Sequence, residues 1–261
     1  FNVVGESWVT EPAYTAYWQK DSKLAAPRNS NLKTVMDFSF YDKMNQAKNE
    51  ESNEYGKGLE RIYNSFVYDF LYPNPLSVMA FLDNHDTNRF LEDGNDLAEL
   101  KQAVTLLLTT RRTPQLYYGT EIMMNGKKDV SDGNVRKDFP GGWKDDVQNA
   151  FTSEGRTQLQ NEAFNYISKI LHWRKDNVVI AEGTMKHFIP QNGIYVFARS
   201  FEGKTALVIL NGTSKEQILP IKSYSEVIKN AATGKDIISE GNIDLTKDLK
   251  LSPRQSMIVE L

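Results

Sequence analysis

Cysteine is absent from the 261-residue sequence. Disulfides and Cys-ligated metal or redox centres are therefore excluded within these residues, although the compartment is left open. No apolar run approaches the roughly 18 residues of a membrane-spanning helix, so no membrane partner is expected. Lys and Arg number 31 against 34 Asp and Glu. Such a balance gives no cationic field for nucleic acid or anionic lipid, and favours a neutral substrate. Gly-x-Gly-x-x-Gly turns, P-loops, internal repeats, low-complexity tracts and long charge runs are all missing. His172 and His187 have no metal-ligand spacing with any neighbour and read as structural or surface residues. No signal-peptide pattern is visible, but the chain opens without Met inside a strand-like run, so a soluble protein is expected with cytoplasmic, periplasmic and secreted locations all open.

What is present is a pair of apolar runs that end in carboxylates. Val3-Val4 leads into Gly5-Glu6-Ser7-Trp8, and Val78-Met79-Ala80-Phe81-Leu82 leads into Asp83-Asn84-His85-Asp86. Both have the bias of strands buried on two faces. In a parallel α/β protein the C-terminal strand ends form the ligand-binding edge, which makes Glu6, His85 and Asp86 candidates for one site. Candidate strands start near Val3, Val35, Val78 and Gln115. A (β/α)8 barrel allots roughly 31 residues to each unit, so residues 1–176 accommodate four consecutive units. Helical periodicity lies between and after the strands, in Leu59, Ile62, Tyr63, Phe66 and Phe70; in Leu97, Leu100, Val104, Leu107 and Leu108; and in Leu159 through Leu171.

Half a barrel would leave strand edges unpaired and its interior half filled, so a preceding half is expected ahead of Phe1. After Asp176 the pattern becomes short strand-like runs: 193–198, 205–210, 218–221, 226–228 and 256–261. Asn192-Gly193, Asn211-Gly212 and Thr233-Gly234 punctuate them. Residues 177–261 are thus expected to form an all-β antiparallel sandwich. The fold class is α/β: the C-terminal half of a (β/α)8 TIM barrel (strands 5 to 8) followed by that sandwich.

Several residues admit a structural reading beside the functional one. Glu6 could be an ion-paired strand-end carboxylate, and His85 alone a hydrogen-bonded structural imidazole. By strand alternation Asp83 points away from Leu82, as a solvent or loop contact. Arg89 is expected to brace the following loop. Tyr117, Tyr118, Phe139 and Trp143 could stack on sugar rings or simply pack. Asn211-Gly212-Thr213 is sequon-like and sits at an expected turn.

The Glu-x-Trp and Phe-x-x-Asn-His-Asp segments resemble the third and fourth signature regions of the α-amylase superfamily of glycoside hydrolases. Thr113-Pro114-Gln115-Leu116-Tyr117-Tyr118-Gly119-Thr120-Glu121 resembles its eighth barrel strand, and Asp138-Phe139-Pro140-Gly141-Gly142-Trp143 is similar to a loop of the neopullulanase and cyclomaltodextrinase branch. The resemblance implies retaining hydrolysis of α-1,4-glucosidic bonds, in maltooligosaccharides, cyclodextrins, pullulan or starch. Glu6 would be the general acid/base and Asp86 the transition-state stabiliser, with His85, Asn84, Trp8, Tyr118 and Phe139 on the substrate. The nucleophilic Asp is expected on the strand before Val3, in the missing half. Transglycosylation and a non-catalytic carbohydrate-binding relative are the alternatives. No metal ligand or required cofactor is expected from this chain. Calcium is open for a longer enzyme, with Asp129, Asp132 and Asn134 close enough together to watch. A homo-oligomer is likewise open.

Overall fold

The computed structural model describes residues 1–94 and 96–261. Four short strands run parallel in chain order: β1 (Val4–Gly5), β2 (Thr34–Val35), β3 (Met79–Phe81) and β4 (Thr113–Gln115). Val4 pairs with Thr34 and Met79 with Thr113, while a Met36–Met79 bridge joins the two pairs into one arc. All four lie within two residues of the starts expected from sequence. Helices cover the arc in the order α1 (Pro12–Trp18), α2 (Phe38–Ala47), α3 (Leu59–Val67), α4 (Leu97–Thr109), α5 (Asp132–Val135) and α6 (Gln158–Lys175).

Local chemistry explains the helix starts. Asp37 caps α2 by accepting the Phe40 N–H at 2.9 Å, and Asp96 caps α4 through Glu99 N–H at 2.9 Å. Thr157 and Gln160 form a reciprocal capping box on α6. Phe70 falls beyond α3, in a 3₁₀ turn, and is exposed, so it is not part of that helix's buried stripe. Between the strand and helix layers Arg112 is buried against Asp37 (2.8 Å) and Asp69 (3.0 Å). Paired in this way, three charges are tolerated where a lone one would be costly.

A short helix α7 (Val178–Ala181) leads into β5 (Thr184–His187), β6 (Ile194–Phe201), β7 (Lys204–Asn211), β8 (Gln217–Leu219), β9 (Thr233–Asp236), β10 (Asn242–Asp244), β11 (Leu249–Leu251) and β12 (Ser256–Glu260). Six of them form an antiparallel sheet in the order β10-β9-β12-β7-β6-β5, and β8 pairs with β11. One face of the large sheet, carrying Tyr195, Phe197, Val208, Leu210 and Ile258, joins the core of α2, α3, α4 and α6. The opposite face, with Val196, Leu207, Ile209 and Val259, packs under the β8–β11 side. Burial on both faces is why β6 and β7 read as nearly unbroken apolar runs.

Two expectations are corrected here. Residues 226–228 belong to a helical turn, α8 (Ser225–Ile228), because a short apolar run alone does not distinguish strand from helix. Thr233-Gly234 lies inside β9, whereas two-residue turns with both φ positive are found at Glu202-Gly203 (47° and 84°) and at the expected Asn192-Gly193 (51° and 75°). Asn211 is buried, with its Nδ2 donating to Lys215 O and Ser252 O, so the sequon is closed to modification. Gln102 on α4 donates to Asn211 O at 2.6 Å. Buried Arg199 on β6 donates to Thr109 O and Thr110 O at the end of α4 and to Ile180 O on α7. These bonds fix the sheet against the barrel helices.

Candidate active site

The segment after β3 turns sharply. Asn84 N–H donates to Thr87 Oγ1 at 2.9 Å, and Asn84 Oδ1 accepts the Asp86 N–H at 2.8 Å. This Asx turn pushes the two following side chains out of the buried strand layer. His85 Nε2 lies 3.0 Å from Asp86 Oδ2, and the His85 side chain is 58% exposed. Asn84 itself is buried, and its Nδ2 has no protein partner among the described residues.

Cations from the β4 exit loop hold the same carboxylate. Arg136 Nη2 donates to Asp86 Oδ1 at 2.6 Å, and its Nε donates to His85 O at 2.8 Å. Lys128 Nζ stands 3.5 Å from Asp86 Oδ1 and 2.7 Å from Asp132, which also pairs with Arg136 at 3.3 Å. Sequence reasoning missed Arg136 and Lys128. Their only signal was a basic residue four positions either side of Asp132, in a loop without periodicity. Asp132 is thereby engaged in ion pairs, and Asn134 Oδ1 accepts the Lys127 N–H.

Beneath the turn, Arg89 is almost completely buried. Its Nε donates to Val135 O at 2.9 Å and its Nη1 to Tyr118 O at 2.5 Å, with the guanidinium 3.9 Å from the Tyr117 ring centre. It ties the β3 turn to the β4 loop, the bracing role expected of it. Tyr118 is partly exposed, and its hydroxyl donates to Lys137 O at 2.7 Å. Phe139, on the next loop, packs against Phe151 with ring centres 4.6 Å apart.

Glu6 follows β1 and is exposed; among the described residues its carboxylate has no hydrogen-bond or ion-pair partner. Trp8 stacks on Phe38 at 4.9 Å and 21°, Phe38 meets Phe81 at 5.0 Å, and Phe81 stacks on Tyr41 at 5.2 Å. This aromatic row ties together the C-terminal ends of β1, β2 and β3. It therefore sets Glu6 and Asp86 on the same rim, two strands apart, about 10 Å between strand axes at the usual spacing.

Asp83 corrects an expectation. It is buried rather than a solvent contact, because β3 ends at Phe81 and strand alternation no longer applies. It does make the expected loop contact, accepting the Phe90 N–H at 2.9 Å. Burial pushes its carboxyl up to about 6, against the opposing effects of that N–H and of Arg89. The folded state therefore holds this proton more tightly than the unfolded chain. Its contribution to stability is complete below the ordinary value of 3.8 and is lost as pH rises toward 6. Asp83→Asn keeps an acceptor for Phe90 without the charge. From about pH 4 to about pH 6.5 its melting temperature should gain on that of the unaltered protein. A gap independent of pH would exclude this role.

The fold defines a class: the C-terminal half of a (β/α)8 barrel with an antiparallel β domain packed on its helices. Residues 1–183 match the Alpha amylase, catalytic domain family, and residues 185–260 match the Cyclo-malto-dextrinase C-terminal domain. The chain belongs to the alpha-amylase family. It is similar to an alpha-amylase of Niallia circulans, 31% identical over 217 residues, and to a cyclomaltodextrin glucanotransferase of Geobacillus stearothermophilus, 29% identical over 220 residues. Those matches take in 80% of this chain but 37% and 28% of the relatives, so the chain spans about a third of their length. An Anoxybacillus alpha-amylase structure superposes with a TM-score of 0.76 at 21% identity, covering 100% of this chain and 52% of that one.

Proposed function

We propose that this chain supplies the acid/base half of a retaining glycoside hydrolase acting on α-1,4-glucosidic bonds of maltooligosaccharides, cyclodextrins, pullulan or starch. The observation carrying this reading is an exposed Glu6, without a partner among the described residues, on the rim that also presents the His85–Asp86 pair. In the first step a carboxylate from outside these residues attacks the anomeric carbon. The glycosidic C–O bond breaks, and Glu6 gives its proton to the departing oxygen. In the second step Glu6, now ionised, takes a proton from water. The water oxygen attacks the same carbon and releases the carboxylate. Asp86 favours the oxocarbenium-like transition states by its charge. His85, the Asn84 amide, Trp8, Tyr118 and Phe139 contact the sugar.

Transfer to a sugar acceptor in place of water is the second reading, and it is favoured by the cyclomaltodextrin glucanotransferase relatives. One experiment tests the main reading. Maltotriose is given to the protein bearing its complete barrel, and fresh product is followed by proton NMR. Initial release of the α-anomer is expected. Release of the β-anomer would contradict retention, and formation of longer oligosaccharides without net hydrolysis would select transfer.

A further inference from the structure

The loop that leaves the candidate site spends unusual effort on exposing a tryptophan. Trp143 is 67% exposed, yet its indole Nε1–H donates to Asp138 Oδ2 at 3.0 Å and its backbone N–H to Asp146 Oδ2 at 3.0 Å. Gly141 N–H reaches the same Asp146 oxygen at 2.7 Å. Gly141 has φ +104°, and a Cβ there would stand 2.7 Å from the Asn149 Cα, so only glycine lets the loop close on itself. Ala150 N–H donates to Pro140 O at 2.9 Å, and Arg156 Nη1 holds Ala150 O at 3.1 Å from the far side. The ring is thus fixed on a cross-braced loop. Beside it on the loop are the Phe139–Phe151 pair and the exposed carboxylates of Asp138, Asp145 and Asp146.

A flat apolar face rimmed by carboxylates matches a pyranose, whose C–H face packs on a ring while its hydroxyls meet acceptors. The loop is also continuous with the site. Arg136 bonds Asp86 and Lys137 O accepts from Tyr118, and Asp138 comes next. We infer that Trp143 is a stacking platform for a glucose unit remote from the cleaved bond, and that the 138–151 loop sets a preference for longer glucans. This inference rests on the α-glucan reading above. The occupant is the same glucan chain as it leaves the Asp86 region.

The test compares maltoheptaose with maltotriose in the protein bearing its complete barrel. For Trp143→Ala, kcat/KM on maltoheptaose should fall roughly 10-fold more than on maltotriose, through KM, as expected for binding energy used equally in ground and transition states. Trp143→Phe should recover most of it. Equal losses on both substrates, or none on either, would overturn the platform. Should neither substrate be turned over, the functional reading fails, and tryptophan fluorescence titrated with maltoheptaose decides the platform separately. A response larger in the unaltered protein than in Trp143→Ala, where Trp8 still reports, sustains it; equal responses in the two proteins, or none in the unaltered protein, remove it.

Discussion

Glu6→Gln, made in the protein with its complete barrel, should lower hydrolysis of unactivated maltooligosaccharides by about 10²-fold or more, the usual scale for general acid/base catalysis. The substitution keeps the size and shape of the side chain and removes only the transferable proton. Glu6 is exposed and has no partner among the described residues, so the change breaks no internal bond and the fold should hold. Leaving groups of low basicity need little protonation. An aryl maltoside should therefore lose far less in the glycosylation step than maltotriose does. Equal losses in that step for both substrates would remove Glu6 from the acid role.

Asp86→Asn should act mainly on kcat, because its charge matters most when positive character develops at the sugar ring. The substitution leaves an oxygen for Arg136, which donates to Asp86 Oδ1 at 2.6 Å, so the Asn84–Asp86 turn should survive. Steady-state kinetics on maltooligosaccharides should show a fall in kcat of about 10²-fold, within the range found for removing one electrostatic contact to a developing charge. His85→Ala should cost less and should also raise KM, since His85 is expected to bind a hydroxyl rather than respond to charge. Near-normal kcat with weakened binding in Asp86→Asn would contradict the transition-state role.

The parts legible in the sequence were those with a local signal. Apolar runs ending in Glu6 and in Asn84-His85-Asp86 reported strand tips, and the stripe of Leu100, Val104, Leu107 and Leu108 reported a helix, but the expected burial of Val3-Val4 on both faces is corrected: both side chains are exposed. The contact between Arg136 and Asp86 joins residues 50 positions apart through a loop, and nothing periodic marks it. Asp83 was misplaced because alternation was carried past the last strand residue, Phe81. Helix α2 was overlooked because its start depends on one capping bond from Asp37, while its Phe38-Ser39-Phe40-Tyr41 segment reads equally as strand. Trp143 was left between packing and binding, since exposure depends on loop hydrogen bonds that composition does not encode.

The central claim is that Glu6 serves both halves of a double displacement. Azide rescue tests it most directly. In Glu6→Ala with an aryl maltoside, the glycosyl-enzyme should form and then stall, because no base activates water. Azide needs no such base and fits the space vacated by the carboxylate. Added azide is predicted to restore turnover and to yield the α-glycosyl azide, identified by NMR. No acceleration by azide, or a β-glycosyl azide, would contradict the assignment of Glu6 as acid/base of a retaining enzyme.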